Sequence, residues 1–63
     1  MTVYISPNPG KSSARELALR AAQILRAHGA SVLMEHKWQQ SCNIAGVEYL
    51  PFEACMEQTD VIL

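Results

Sequence analysis

Thr59-Asp60-Val61-Ile62-Leu63 is the stretch on which the reading of the fold turns. It reads as an apolar strand of a parallel sheet, entered through the polar pair Thr59-Asp60. In such sheets the chemistry lies just beyond the carboxyl ends of the strands, and the sequence stops at Leu63. An apolar strand is ordinarily followed by residues that return the chain to the surface. Residues 1–63 are therefore expected to be the incomplete N-terminal part of a larger α/β domain.

Working outward from that strand, Pro51 suits a first helical turn, and Phe52, Cys55 and Met56 line one side of a short helix. Residues Lys37 to Tyr49 are polar at first, then apolar without a clear period, and are assigned to loop with room for a short helical turn. Ala30 to Glu35 reads as a strand centred on Val32, Leu33 and Met34. Before it, Ala14, Leu17, Ala18, Ala21, Ile24, Leu25 and His28 recur at helical spacing. Ser13 and Glu16 form the S-x-x-E capping-box pattern, and Gly29 supplies a left-handed C-cap, giving a helix over 13–28. Val3-Tyr4-Ile5 is a first strand, ended by the rigid turn Ser6-Pro7-Asn8-Pro9-Gly10.

Strand, helix, strand, helix, strand implies parallel pairing through right-handed crossovers. The expected fold class is α/β: a partial doubly wound, Rossmann-like βαβαβ unit with parallel strands at about 2–6, 31–35 and 60–63. The expected strand order is 2-1-3, which sets the Asn8 turn and the end of the chain side by side at a switch point.

Composition narrows the function classes. With 49% hydrophobic and 17% charged residues and a net charge of −1, the chain has no field to attract nucleic acid or a membrane surface. Three of the five basic residues fall on one helix and read as its solvated face. No stretch approaches the roughly 20 apolar residues that span a bilayer, and the N-terminus lacks a secretory pattern, so the cytoplasm is the expected location. Cys42 and Cys55 form neither a CxxC pair nor a cluster with histidine, which argues against a disulfide framework and against zinc. Cys55 reads as a small buried hydrophobe on a helix and Cys42 as a free thiol in a polar loop.

Chemistry is expected at the turn Ser6 to Ser13, where α/β enzymes cradle phosphate on free N–H groups. Gly10-Lys11-Ser12 invites a Walker A reading, but that motif requires glycine where Ile5 stands, and G-x-G-x-x-G is absent. The two prolines also remove donors that a phosphate loop would use. A tight structural turn competes with a turn lining a nucleotide site that other loops complete. His28 reads as a helix cap, His36 as a surface residue, and Trp38 as a cover for the sheet or, less favoured, for part of a ligand pocket. No catalytic triad, spaced carboxylate pair or metal-ligand cluster can be assembled, so no catalytic or metal-binding residue is assigned.

The pattern as a whole resembles the N-terminal segment of the NAD kinases, in the NAD kinase/diacylglycerol kinase-like superfamily. Ile5-Ser6-Pro7-Asn8-Pro9-Gly10-Lys11 looks like the Asn-Pro-containing turn of both families. The run from Ser13 to Ala18, ending at Ala27-His28-Gly29-Ala30-Ser31-Val32, looks like the helix, glycine and strand of the bacterial enzymes. The segment from Phe52 to Leu63 resembles the lead into the family's GGDGT motif. The resemblance implies an N-terminal fragment of an ATP-dependent NAD kinase, inactive by itself. The parent enzyme would use ATP and Mg²⁺ to phosphorylate the 2′-hydroxyl of NAD, giving NADP. It further implies that Asn8, Pro9, Gly10 and Lys11 lie near the nucleotide phosphates, while the catalytic residues lie beyond Leu63.

Two alternatives stand beside it. A lipid kinase of the same superfamily would usually carry more glycine and small polar residues after Asn-Pro. A truncated non-catalytic module, receiver-like or flavodoxin-like, is the other; a receiver would carry paired acidic residues after its first strand, where Ser6-Pro7-Asn8 has none. Because Val61-Ile62-Leu63 would expose an apolar edge, a homo-oligomer is expected.

Overall fold

A computed structural model describes residues 1–8, 10 and 12–63. Among these, four strands form one sheet: β1 (Thr2–Tyr4), β2 (Ser31–Glu35), β3 (Glu48–Leu50) and β4 (Val61–Ile62). Two α-helices connect them, α1 (Ala14–Ala27) and α2 (Phe52–Gln58), with a single 3₁₀ turn at His36–Trp38. All pairings are parallel, and the order is β3-β2-β1-β4. The fold is mixed α/β, compatible with a partial Rossmann-like unit.

The three strands read from the sequence take the expected relative order, since β2 and β4 flank β1. The count of three is corrected: Glu48-Tyr49-Leu50, assigned to loop up to Tyr49, forms β3 on the far side of β2. It pairs along one side only and runs for three residues, too short for an alternating pattern to declare itself.

Alternation along β1 and β2 sends side chains to both faces. Ile5, Val32 and Met34 meet Ala18 and Ala22 of α1 on one face. Tyr4 and Leu33 meet Cys55 of α2 on the other. This arrangement follows from the connections: α1 leads from β1 to β2, whereas α2 leads from β3 back across the sheet to β4. Crossovers of one hand running in opposite directions place their helices on opposite faces. Leu33 and Met34 are the most enclosed large side chains, each contributing roughly 1.5–3 kcal/mol through burial.

The N-terminus of α1 departs from the capping box. Ser13 accepts the Leu17 N–H through its carbonyl (3.0 Å), but its hydroxyl caps nothing. Its backbone (φ −94°, ψ 8°) is not the extended conformation that swings an N-cap hydroxyl over the next turn. The C-terminus matches expectation. Gly29, at φ +84°, donates to Arg26 O (3.0 Å), and Ala30 donates to Leu25 O (3.0 Å), the two bonds of a Schellman motif. The buried face of α1 centres on Ala18 and Ala22, whose small side chains allow close approach to the sheet; Leu17 and Ile24, read as core-facing, stand half or more exposed.

The segment from Gln39 to Val47 is more than a polar loop. Cys42 and Ile44 are buried on the α1 face; Cys42 is a free thiol outside the helices and strands, as expected, but it sits in the core and not in a polar setting. The Tyr49 hydroxyl fixes this segment by donating to the Cys42 carbonyl and accepting the Ile44 N–H (2.9 Å).

Candidate functional site

The site grows from the two strand ends that meet at the sheet's change of direction. β1 has β2 on one side and β4 on the other, and the connections from it and back to it lie on opposite faces. Doubly wound sheets open a crevice at such a point, outside the carboxyl ends of the strands. Here that crevice is a cleft of about 290 Å³ between the ends of β1 and β4 and the first half of α1.

Its walls are mostly apolar. Ile5, Pro7 and Leu63 come from the strand ends, and Ala14, Leu17, Ala18 and Ala21 come from α1. Ser6 and Asn8 are the polar lining residues among those described. The two walls are tied together by backbone bonds: Leu63 N–H donates to Tyr4 O (2.8 Å) and Ser6 N–H donates to Leu63 O (3.3 Å). Asp60 anchors the other end of β4, its carboxylate accepting the Thr2 N–H (2.8 Å) while its own N–H donates to Thr2 O (2.8 Å).

Of the turn residues expected to contact nucleotide, Asn8 lines the cleft and Gly10 sits beside it. The Asn8 side-chain oxygen accepts the Gly10 N–H (3.0 Å), an Asx-type turn. That bond engages one of the backbone donors a phosphate would use, and it takes the oxygen of the Asn8 amide, not its NH₂. A Cβ at Gly10 would meet Asn8 at an ordinary contact distance of 3.5 Å, so close packing does not demand glycine there. Pro9 and Lys11, the other two expected contacts, lie outside the described residues.

The remaining candidates fall elsewhere. His28 is exposed, with its ring Nδ1 2.8 Å from the Ile24 carbonyl, and so caps the end of α1. His36 is exposed beyond β2, while Trp38 packs against the α1-face core, covering the sheet well away from the cleft. Cys42 and Cys55 are free thiols buried on opposite faces. Burial pushes the Cys55 thiol above its ordinary range, the reverse of what a nucleophile needs. Burial likewise raises the Tyr4 phenol, and the Glu35 carboxylate adds to the effect.

Among the described residues, no group of three His, Cys, Asp or Glu side chains is placed to hold a metal ion, and no helix is long and apolar enough to cross a membrane. Sequence reasoning included Ser6 in the candidate turn but missed Ala14, Leu17 and Leu63 as cleft residues. The available signal was positional, since each stands at a strand's carboxyl end or in the first turns of the following helix. No protein-family model, curated protein or solved structure matches the chain.

Proposed function

We propose that this chain is the N-terminal nucleotide-binding unit of an ATP-dependent NAD kinase, an enzyme that transfers the γ-phosphoryl group of ATP to the 2′-hydroxyl of NAD and works in the cytoplasm. The observation that carries this reading is the cleft at the switch point between β1 and β4, with Asn8 at its rim. Its volume stands at the lower end of the roughly 300–1,000 Å³ of small-molecule sites, enough for one part of a nucleotide. The apolar walls suit the faces of a base or ribose, and Asn8 brings an amide to the rim. The described residues offer no metal-ligand set, so Mg²⁺ would reach the reaction on the ATP phosphates and through groups outside this chain. Phosphoryl transfer depends chiefly on positioning and charge stabilisation; this unit's share is positioning.

Strand order separates this reading from the flavodoxin-like or receiver-like alternative. In that fold the third strand pairs with the first, giving 2-1-3-4-5. Here β3 pairs with β2, and the partial order 3-2-1-4 is that of dinucleotide-binding sheets.

The test is a titration of the ¹⁵N-labelled chain with ATP, ADP and NAD to millimolar concentration. Shift changes should concentrate at Ser6, Asn8, Gly10, Ala14, Leu17 and Leu63. Absence of change there with every nucleotide, or change confined to the Trp38 side of the molecule, would overturn the assignment. The chain alone should form no NADP from NAD, ATP and Mg²⁺. In a parent carrying GGDG after Leu63, Lys11→Ala should raise the KM for ATP more than it lowers kcat.

A further inference from the structure

The passage from β2 to β3 crosses the α1 face without an α-helix. Residues 39–47 belong to no strand, yet they bury Cys42 and Ile44 against Ala22, Val32 and Met34. Their backbone bonds are short in range: Cys42 N–H donates to Trp38 O (2.7 Å) and Val47 N–H donates to Ile44 O (3.3 Å). Among the described residues, two side chains tie this strap by hydrogen bonds to the rest of the molecule. One is the Tyr49 hydroxyl, at Cys42 and Ile44. The other is Arg26, in the last turn of α1, whose Nη1 donates to Ala45 O (3.3 Å).

Arg26 also accounts for Gly46. The glycine stands at φ +85°, a conformation that side chains rarely adopt. A Cβ there would overlap Cζ, Nη1 and Nε of Arg26. The guanidinium therefore rests directly against the backbone of the strap, on a seat that only glycine provides.

We infer that residues 39–47 open as one unit while the sheet stays closed, with Arg26 and Tyr49 as the two latches. Segments held by few tertiary bonds open at lower free energy than the core elements they cover. Here the tertiary hydrogen bonds of the strap converge on two side chains, so releasing both frees the whole segment. No strand pairing has to break, because β3 is held to β2 through its own register. The ladder bonds, such as Ile5 N–H to Leu33 O (3.0 Å), lie beneath and are lost only when the sheet unfolds. Opening uncovers Cys42 and leaves Cys55 enclosed on the opposite face. The fold thus carries a second form that differs from the closed one in access to a single thiol. The inference does not depend on the nucleotide reading.

Native-state amide exchange in urea below the unfolding transition tests it. The amides of Cys42, Ile44 and Val47 should exchange at one common opening free energy, smaller and less dependent on urea than that of Ile5. A thiol reagent should label Cys42 in step with them, and Cys55 only with Ile5. Arg26→Ala should speed the three strap amides by roughly 2–10-fold, the worth of one net hydrogen bond, and leave Ile5 unchanged. Gly46→Ala should speed them too, but by a smaller factor in the Arg26→Ala background, since the two changes remove the same contact. Strap amides that exchange only with Ile5, or that open at unrelated free energies, overturn the proposal. So does a Gly46→Ala effect of equal size in both backgrounds. Should either variant fail to fold, the exchange and labelling pattern of the unaltered chain decides alone.

Discussion

Replacing Tyr49 by Phe should loosen one whole layer of this small core. The Tyr49 hydroxyl satisfies both the Cys42 carbonyl and the Ile44 N–H, and the segment it holds buries Cys42 and Ile44 against Val32, Met34 and Ala22. A buried polar group left without a partner costs about 1–3 kcal/mol. Two such groups in a partly buried setting should cost about 2 kcal/mol in total, at the lower end of that range. A chain of this length is stable by only about 3–9 kcal/mol, so the loss would be a large share. Urea unfolding should show a lower midpoint with little change in slope, and thermal unfolding a Tm lower by about 8–15 °C. The protomer concentration must be held fixed, because association adds stability by mass action. A second readout is specific to the layer: Cys42 should react faster with a thiol reagent while Cys55, on the opposite face, keeps its rate. A loss below about 0.5 kcal/mol, the range of ordinary surface substitutions, with an unchanged Cys42 rate would refute the argument.

Met34→Ala should cost about 2–5 kcal/mol by opening a cavity under α1, and denaturant titration should show a correspondingly lower midpoint. Gly29→Ala meets no atom within 4 Å but forces an L-residue into φ +84°, so chemical denaturation should register a loss of roughly 1–2 kcal/mol from backbone strain alone. Stability should hold through neutral pH and fall in alkali. The Cys55 thiol and the Tyr4 phenol both ionise later in the folded chain than their ordinary values of 9.0 and 10.0. Each therefore contributes stability below its unfolded value that is lost as pH rises through the folded one. Circular dichroism followed from neutral pH into alkali reads this out, and Cys55→Ala should remove the earlier part of the loss. A profile that is flat throughout would contradict the burial of both groups.

Much of the fold is legible in the residues because its signals are local. The α1 boundaries follow from helical spacing and from Gly29, whose positive φ the Schellman motif requires. β2 is declared by Val32-Leu33-Met34, an apolar run buried on both faces. Cys55 is recognisable as a core residue from its place on a short amphipathic helix. The turn at Asn8 is marked by its prolines and its asparagine, and Asn8 does line the cleft.

What needed the tertiary structure was long-range. β3 is held in register by β2 and by one tyrosine hydroxyl reaching back over the Gln39–Val47 segment, contacts that no window of neighbouring residues contains. That strand changes the meaning of the topology. The order 2-1-3 expected from three strands is compatible with the opening of a flavodoxin-like sheet, whereas 3-2-1-4 is compatible with a partial Rossmann-like one. The sequence by itself determined which segments become helix and strand, because backbone conformation and amphipathic period are properties of adjacent residues. Only the packed molecule decided which strands become neighbours, which face of α1 is buried, and that Ser6, Leu17 and Leu63 share one cleft. Those outcomes depend on contacts between residues far apart in the chain, which form only when the whole sheet closes.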